Sequence, residues 1–146
     1  MAHLTHDEFM KLWKMKPFAV ADCAVVKDNK ILLVKRATQP FKGSWTLVGG
    51  IMETGETIQQ TAVREVKEET GITAEVVSLI GVYSGPKRDP RGTTLVAAFL
   101  MRPLKFGGKR DGEISDMKFF PFSELPPRIG FDHRHIIDDA LKILKK

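Results

Sequence analysis

The residues best equipped for chemistry lie in one short stretch: Glu56, Arg64, Glu65, Glu68 and Glu69. Thr57 suits a helix N-cap, Ile58, Ala62 and Val66 recur every fourth residue, and Gly71 suits a helix terminator. At about 100° per residue, Glu65, Glu68 and Glu69 share an arc of roughly 100° beside that apolar stripe. Glu65 is paired with like charge at i,i+3 and i,i+4, which costs an isolated helix roughly 0.2–0.5 kcal/mol per pair. Lys67 points away from the cluster. Something positive belongs between these carboxylates, and clustered hard oxygen donors suit Mg²⁺ or Mn²⁺. A solvated acidic helix face behind a glycine-rich turn is the competing explanation.

The preceding loop fits a cation site. Gly49 and Gly50 permit close approaches that a side chain would block, so a carbonyl there could serve as a further oxygen ligand. Gly55 allows a sharp return into the helix, and Glu56 stands near its positive end.

The complete spacing separates the two explanations. It resembles the Nudix box, G-x5-E-x7-R-E-U-x-E-E-x-G-U with U aliphatic, and every fixed position is filled: Gly50, Glu56, Arg64, Glu65, Val66, Glu68, Glu69, Gly71 and Ile72. At ordinary residue frequencies a chance match is on the order of 10⁻⁹ per starting position. Strands and a closing helix in family-like order extend the resemblance from about Phe18 to the C-terminus. Val48 stands where family members often have proline, a change that touches no expected ligand.

With 146 residues, the chain is expected to form one domain, with residues 1–16 as a helical N-terminal extension. Hydrophobic content of 42% and charged content of 28% are those of a globular protein. No apolar run reaches the length of a membrane span, and the N-terminus lacks a signal peptide's apolar core, so a cytoplasmic location is expected. The one cysteine, Cys23, lies in an apolar run and reads as a core residue. A net charge of +5 despite the acidic cluster places positive charge elsewhere and favours anionic partners. Without a long basic block or an aromatic-interleaved stripe, a phosphorylated small molecule is the better inference than nucleic acid. A homodimer is left open.

The elements that must position the cluster follow from periodicity. Residues 5–15 read as a helix ended by Pro17, with a packing role onto the core, a lid or a dimer contact open to it. Apolar runs 18–26 and 30–36, joined by Lys27, Asp28 and Asn29, read as a hairpin. Residues 45–48 are a short strand delivering Gly49 and Gly50, with Trp45 expected in the core. Strands follow at 75–83, 93–101 and 117–122, and a last helix begins near Asp132, a good N-cap, with His133 as a hydrogen-bonding residue at its start. The pattern implies an α/β sandwich with a mixed sheet between helices, which the resemblance names as the Nudix fold.

Resemblance to Nudix enzymes implies hydrolysis at the pyrophosphate of a nucleoside diphosphate derivative with a divalent metal. By carry-over Glu65, Glu68 and Glu69 are metal ligands together with a carbonyl of Gly49 or Gly50. Arg64 orients carboxylates by ion pairing, and Glu56 supports the loop and can pair with Arg64. The general base varies in the family; Glu113 leads here, with Asp111 and Asp116 as alternatives. Arg36, Arg88 and Arg91 are expected to bind substrate. The segment 82–92 and Phe131-Asp132-His133 are similar to stretches in the ADP-ribose pyrophosphatase branch, which implies ADP-ribose cleaved to AMP and ribose 5-phosphate. A MutT-like triphosphate pyrophosphohydrolase is the alternative. A non-catalytic sensor fits less well, because sensors often lose box carboxylates and carry a separate DNA-binding domain.

Overall fold

The computed structural model describes residues 3–110 and 113–146. Chain order runs α1 (His6–Met15), β1 (Phe18–Lys27), β2 (Lys30–Arg36), β3 (Trp45–Thr46), β4 (Val48–Ile51), α2 (Ile58–Thr70), β5 (Thr73–Tyr83), β6 (Thr94–Lys105), β7 (Ile114–Pro121) and α3 (His133–Leu144). Thr5 and Thr57 each close a capping box, with Glu8 and Gln60 respectively, and Gly71 ends α2 at φ 76°.

Strand β1 organises the sheet. It runs parallel to β6 from Phe18 opposite Thr94 to Val25 opposite Met101, and antiparallel to β4 on its other side. Strand β5 extends the sheet beyond β6. Strands β3 and β7 pair with β2, which meets β1 only at the hairpin end. Asp28 and Asn29 both have positive φ, 50° and 61°, as a two-residue type I′ turn requires. The hairpin is therefore tighter than the three-residue connection expected from sequence.

Both faces of β1 and β2 are covered. Ala21, Cys23 and Val25 pack with Ala62 and Val66 of α2, whereas Ala24, Ile31 and Leu33 pack with Ile136, Ile137 and Ala140 of α3. Strands buried on both sides read as continuous apolar runs rather than alternating ones, which is how these two look in sequence. The result is the expected mixed sheet between helices, and Cys23 is fully buried.

Two local expectations need correction. The run 45–48 is not one strand: Leu47 donates its N–H to Nδ1 of His133 at 2.9 Å, and this side-chain partner separates β3 from β4. Asp132 starts α3, but its carboxylate makes no capping hydrogen bond, because Arg88 holds it.

Candidate active site

Helix α2 and strand β4 bring the acidic cluster to a cavity of about 490 Å³. Gly49, Gly50, Arg64, Glu65, Glu68, Glu69 and Glu113 line it, and so do Arg36, Arg88 and Arg91 from two other segments. Residues from five separate segments of the chain thus line one cavity. Glu56 braces Arg64 from the loop before α2. Asp116 is exposed on β7, where it accepts the N–H of Met117 at 2.8 Å, and does not line the cavity. Asp111 lies outside the described residues.

Arg64 joins the loop to the cluster. Its Nε and Nη2 donate to the two Glu56 oxygens at 3.0 and 2.7 Å, and Nη2 also donates to the Ile51 carbonyl at 3.0 Å. Its Nη1 donates to Glu65 at 2.8 Å and to Glu68 at 3.1 Å. The Arg64 hydrogen bonds hold Glu56 down to about 2. Thr61 also donates to Glu56, at 2.7 Å. The like-charge repulsion read from sequence is met here by a guanidinium one residue away.

Glu65 feels opposing forces. Burial pushes its carboxyl up, Arg64 pulls it down by hydrogen bond and charge, and Glu68 and Glu113 raise it again, leaving it at about 7. A buried carboxylate held near neutrality is short of positive charge. A Cβ on Gly50 would overlap the Glu65 carboxylate, so the missing side chain of Gly50 makes room for it against the loop backbone. This cradle, with carboxylate and carbonyl oxygens, fits a hard divalent cation in donor chemistry. As placed, no three acidic, histidine or cysteine side chains among the described residues converge as a ready metal cluster. Glu68, half-exposed and tied to Arg64, is the carboxylate with room to reorient.

The basic side is built differently. Burial, followed by the nearby charge of Arg91, lowers the pKa of Arg36, and both cations line the cavity. Arg36 donates to the Pro40 carbonyl at 2.5 Å and lies 5.3 Å from the Phe131 ring centre. Arg91 is held by Asp89 at 2.9 and 3.1 Å and sits 4.4 Å over the Trp13 ring.

Arg88 departs from the expected role. It borders the cavity, yet its donors go to protein groups: Asp132 at 2.9 and 2.5 Å, Thr94 at 3.0 Å and Asp22 at 3.5 Å. Burial alone would lower its pKa, but Asp132 and Asp22 raise it on balance. His133 completes the network through Nε2–H, 3.1 Å from Asp22. Because Nδ1 of His133 accepts the Leu47 N–H, that ring is the neutral Nε2–H tautomer. Asp22 went unnoticed in sequence, although an acid inside an apolar strand is itself a signal that a partner is near. Phe9 and Trp13 also line the cavity, a placement that their helical periodicity could not reveal.

The mixed sheet between helices and the acidic helix beneath a glycine loop define a class. The NUDIX domain model matches residues 17–140, and the chain belongs to that family. It is a Nudix hydrolase. Over 128 residues it is 43% identical to an ADP-ribose pyrophosphatase of Methanocaldococcus jannaschii, covering 88% of this chain and 75% of that protein. It is 33% identical to the 8-oxo-dGDP phosphatase NUDT18 of Homo sapiens, covering 90% of this chain but only 41% of that longer protein. Among solved structures, an ADP-ribose pyrophosphatase from Streptococcus suis superposes with a TM-score of 0.76 at 26% identity, covering 90% of this chain and 94% of that one. The NUDIX domain of Shewanella oneidensis NrtR, solved with ADP ribose, gives a TM-score of 0.77 at 24% identity over 97% and 99% of the two chains, a likeness of fold.

Proposed function

We propose that this enzyme hydrolyses ADP-ribose to AMP and ribose 5-phosphate. The observation that carries the reading is that one cavity is lined by opposite charges, an acidic cluster on α2 and the guanidinium groups of Arg36 and Arg91. A pyrophosphate suits that opposition, because its oxygens need cations on more than one side. The kinship with a protein named ADP-ribose pyrophosphatase, at 43% identity, supports the substrate.

Glu65, Glu68 and Glu69, with a carbonyl of Gly49 or Gly50, are the residues that would hold Mg²⁺ or Mn²⁺. Such an ion, when bound, neutralises phosphate oxygens and acidifies water. The chain's own part is positional. Arg64 keeps Glu65 and Glu68 oriented while Glu56 keeps Arg64 in place. Arg36 and Arg91 attract the pyrophosphate and stabilise charge as it develops. Glu113, beside the start of β7 and on the cavity wall, takes the proton of the attacking water. The water oxygen bonds to one phosphorus, the bridging P–O bond breaks, and the departing phosphate keeps the bridging oxygen.

Kinship with a named 8-oxo-dGDP phosphatase favours a second reading, a MutT-like enzyme acting on oxidised nucleotides through the same carboxylates. The test compares kcat/KM for ADP-ribose with that for 8-oxo-dGTP and ordinary deoxynucleoside triphosphates at one Mg²⁺ concentration. ADP-ribose is expected to be preferred by at least tenfold. A preference for any triphosphate would install the MutT-like reading and leave the acidic-site assignment standing.

A further inference from the structure

Trp13 is boxed in on nearly every side. Phe18 lies 4.6 Å away between ring centres, Phe9 meets it edge-on at 6.1 Å, and Arg91 covers the ring at 4.4 Å. Gly92 presses on its backbone: a Cβ at Gly92 would overlap the Trp13 carbonyl oxygen. Its side chain is almost wholly buried, and it forms part of the cavity wall. One demand is unmet. The indole Nε1–H is buried without a hydrogen-bond acceptor. A buried unsatisfied donor costs about 1–3 kcal/mol, and a tryptophan N–H normally finds a partner when buried. Burial of hydrophobic area alone would be served as well by phenylalanine.

Resting on the nucleotide-hydrolase reading above, we infer that Trp13 is a specificity-determining residue: its indole N–H donates to an acceptor on a group of the substrate flanking the pyrophosphate. Arg91 makes the link, since it stacks on Trp13 and its charge acts on Arg36. The ring face is already taken by Arg91, so Trp13 reads its ligand through the N–H and not by stacking. The acceptor is either a ring nitrogen of the nucleobase or a hydroxyl of the sugar. The donor is sealed from water in this arrangement, so engagement requires a small displacement of α1. Helix α1 contributes nothing to the sheet ladders, and its contacts include those of Phe9 and Trp13 with Phe18 and with the loop at Arg91 and Gly92.

The test is Trp13→Phe, which keeps an aromatic ring and removes the donor. Titration calorimetry and steady-state kinetics with ADP-ribose should show Kd and KM raised about five- to tenfold and kcat within about twofold, since a contact made equally in ground and transition states changes KM alone. The same loss in titrations with AMP places the acceptor on the adenosine half, and a loss confined to ribose 5-phosphate places it on the terminal ribose. Unchanged Kd and KM would overturn the inference while leaving the enzyme's function intact. Wild-type protein that binds no nucleotide would sink the functional reading and this inference with it. Should the variant fold poorly, amide exchange on the wild type decides: ADP-ribose should slow exchange across residues 6–15, and no slowing there overturns the inference.

Discussion

Gly50 of β4 and Glu65 of α2 share one small volume: a Cβ on the glycine would overlap the carboxylate of the glutamate. The pair joins the loop backbone to a side chain that burial keeps near neutrality at about 7. Gly50→Ala should therefore push Glu65 out of place. Turnover with Mg²⁺ is expected to fall at least tenfold while far-ultraviolet circular dichroism stays unchanged. Normal turnover would show that the close approach has no catalytic meaning.

Glu68→Gln and Glu69→Gln address the other two carboxylates. Each should reduce Mg²⁺-dependent turnover by at least tenfold. Glu68 is half-exposed, so its loss should move the melting temperature little. If both variants kept their activity at saturating Mg²⁺, the proposed ligand set would be wrong.

Glu113→Gln tests the proton acceptor. As base, Glu113 should affect kcat strongly, by about 10²-fold, with metal affinity measured by calorimetry nearly unchanged. A weakened metal affinity would instead make it a ligand.

The Glu56–Arg64 pair predicts a pH signature. Glu56 has a folded pKa of about 2 against an ordinary 4.5. A lowered carboxylate pKa contributes stability that is fully present above 4.5 and lost as pH falls toward 2. The melting temperature of Glu56→Gln should be well below wild type at pH 7, with the gap narrowing steadily from pH 4.5 to 2. A gap independent of pH would mean that the ion pair is not its source.

Arg88 and Arg36 should fail in different ways. Arg88→Ala strands Asp22 and Asp132 without their cation, and breaking such a buried pair costs about 3–5 kcal/mol. Denaturant unfolding should show that loss. Arg36→Ala relieves repulsion from Arg91, so its stability cost should be smaller and its effect should appear as a KM for ADP-ribose raised about tenfold. Equal stability losses would contradict this division.

Local patterns in the chain were enough for the order of the main elements and for the acidic face of α2. The recurrence of Ile58, Ala62 and Val66 at every fourth position, the caps Thr57 and Gly71, and the spacing of Glu65, Glu68 and Glu69 all lie within one helix and its ends. Periodicity of that kind is a property of neighbours along the chain, so it is legible without a fold. The extents of β5, β6 and β7 were less so, because ladder partners decide where a strand stops.

What only the tertiary structure decided concerns groups far apart in sequence. Arg88 had the composition of a phosphate-binding loop residue, and nothing near it reveals that Asp22 and Asp132 would converge on it from β1 and the start of α3. Asp132 had the composition of a helix cap, yet a guanidinium holds it more strongly than a backbone N–H can. Trp13 read as one face of an amphipathic helix, and its place on the cavity wall depends on how the loop at Gly92 receives α1. Side-chain type states what a residue is able to bond. Which partner it meets is set by the packing of elements that the sequence separates.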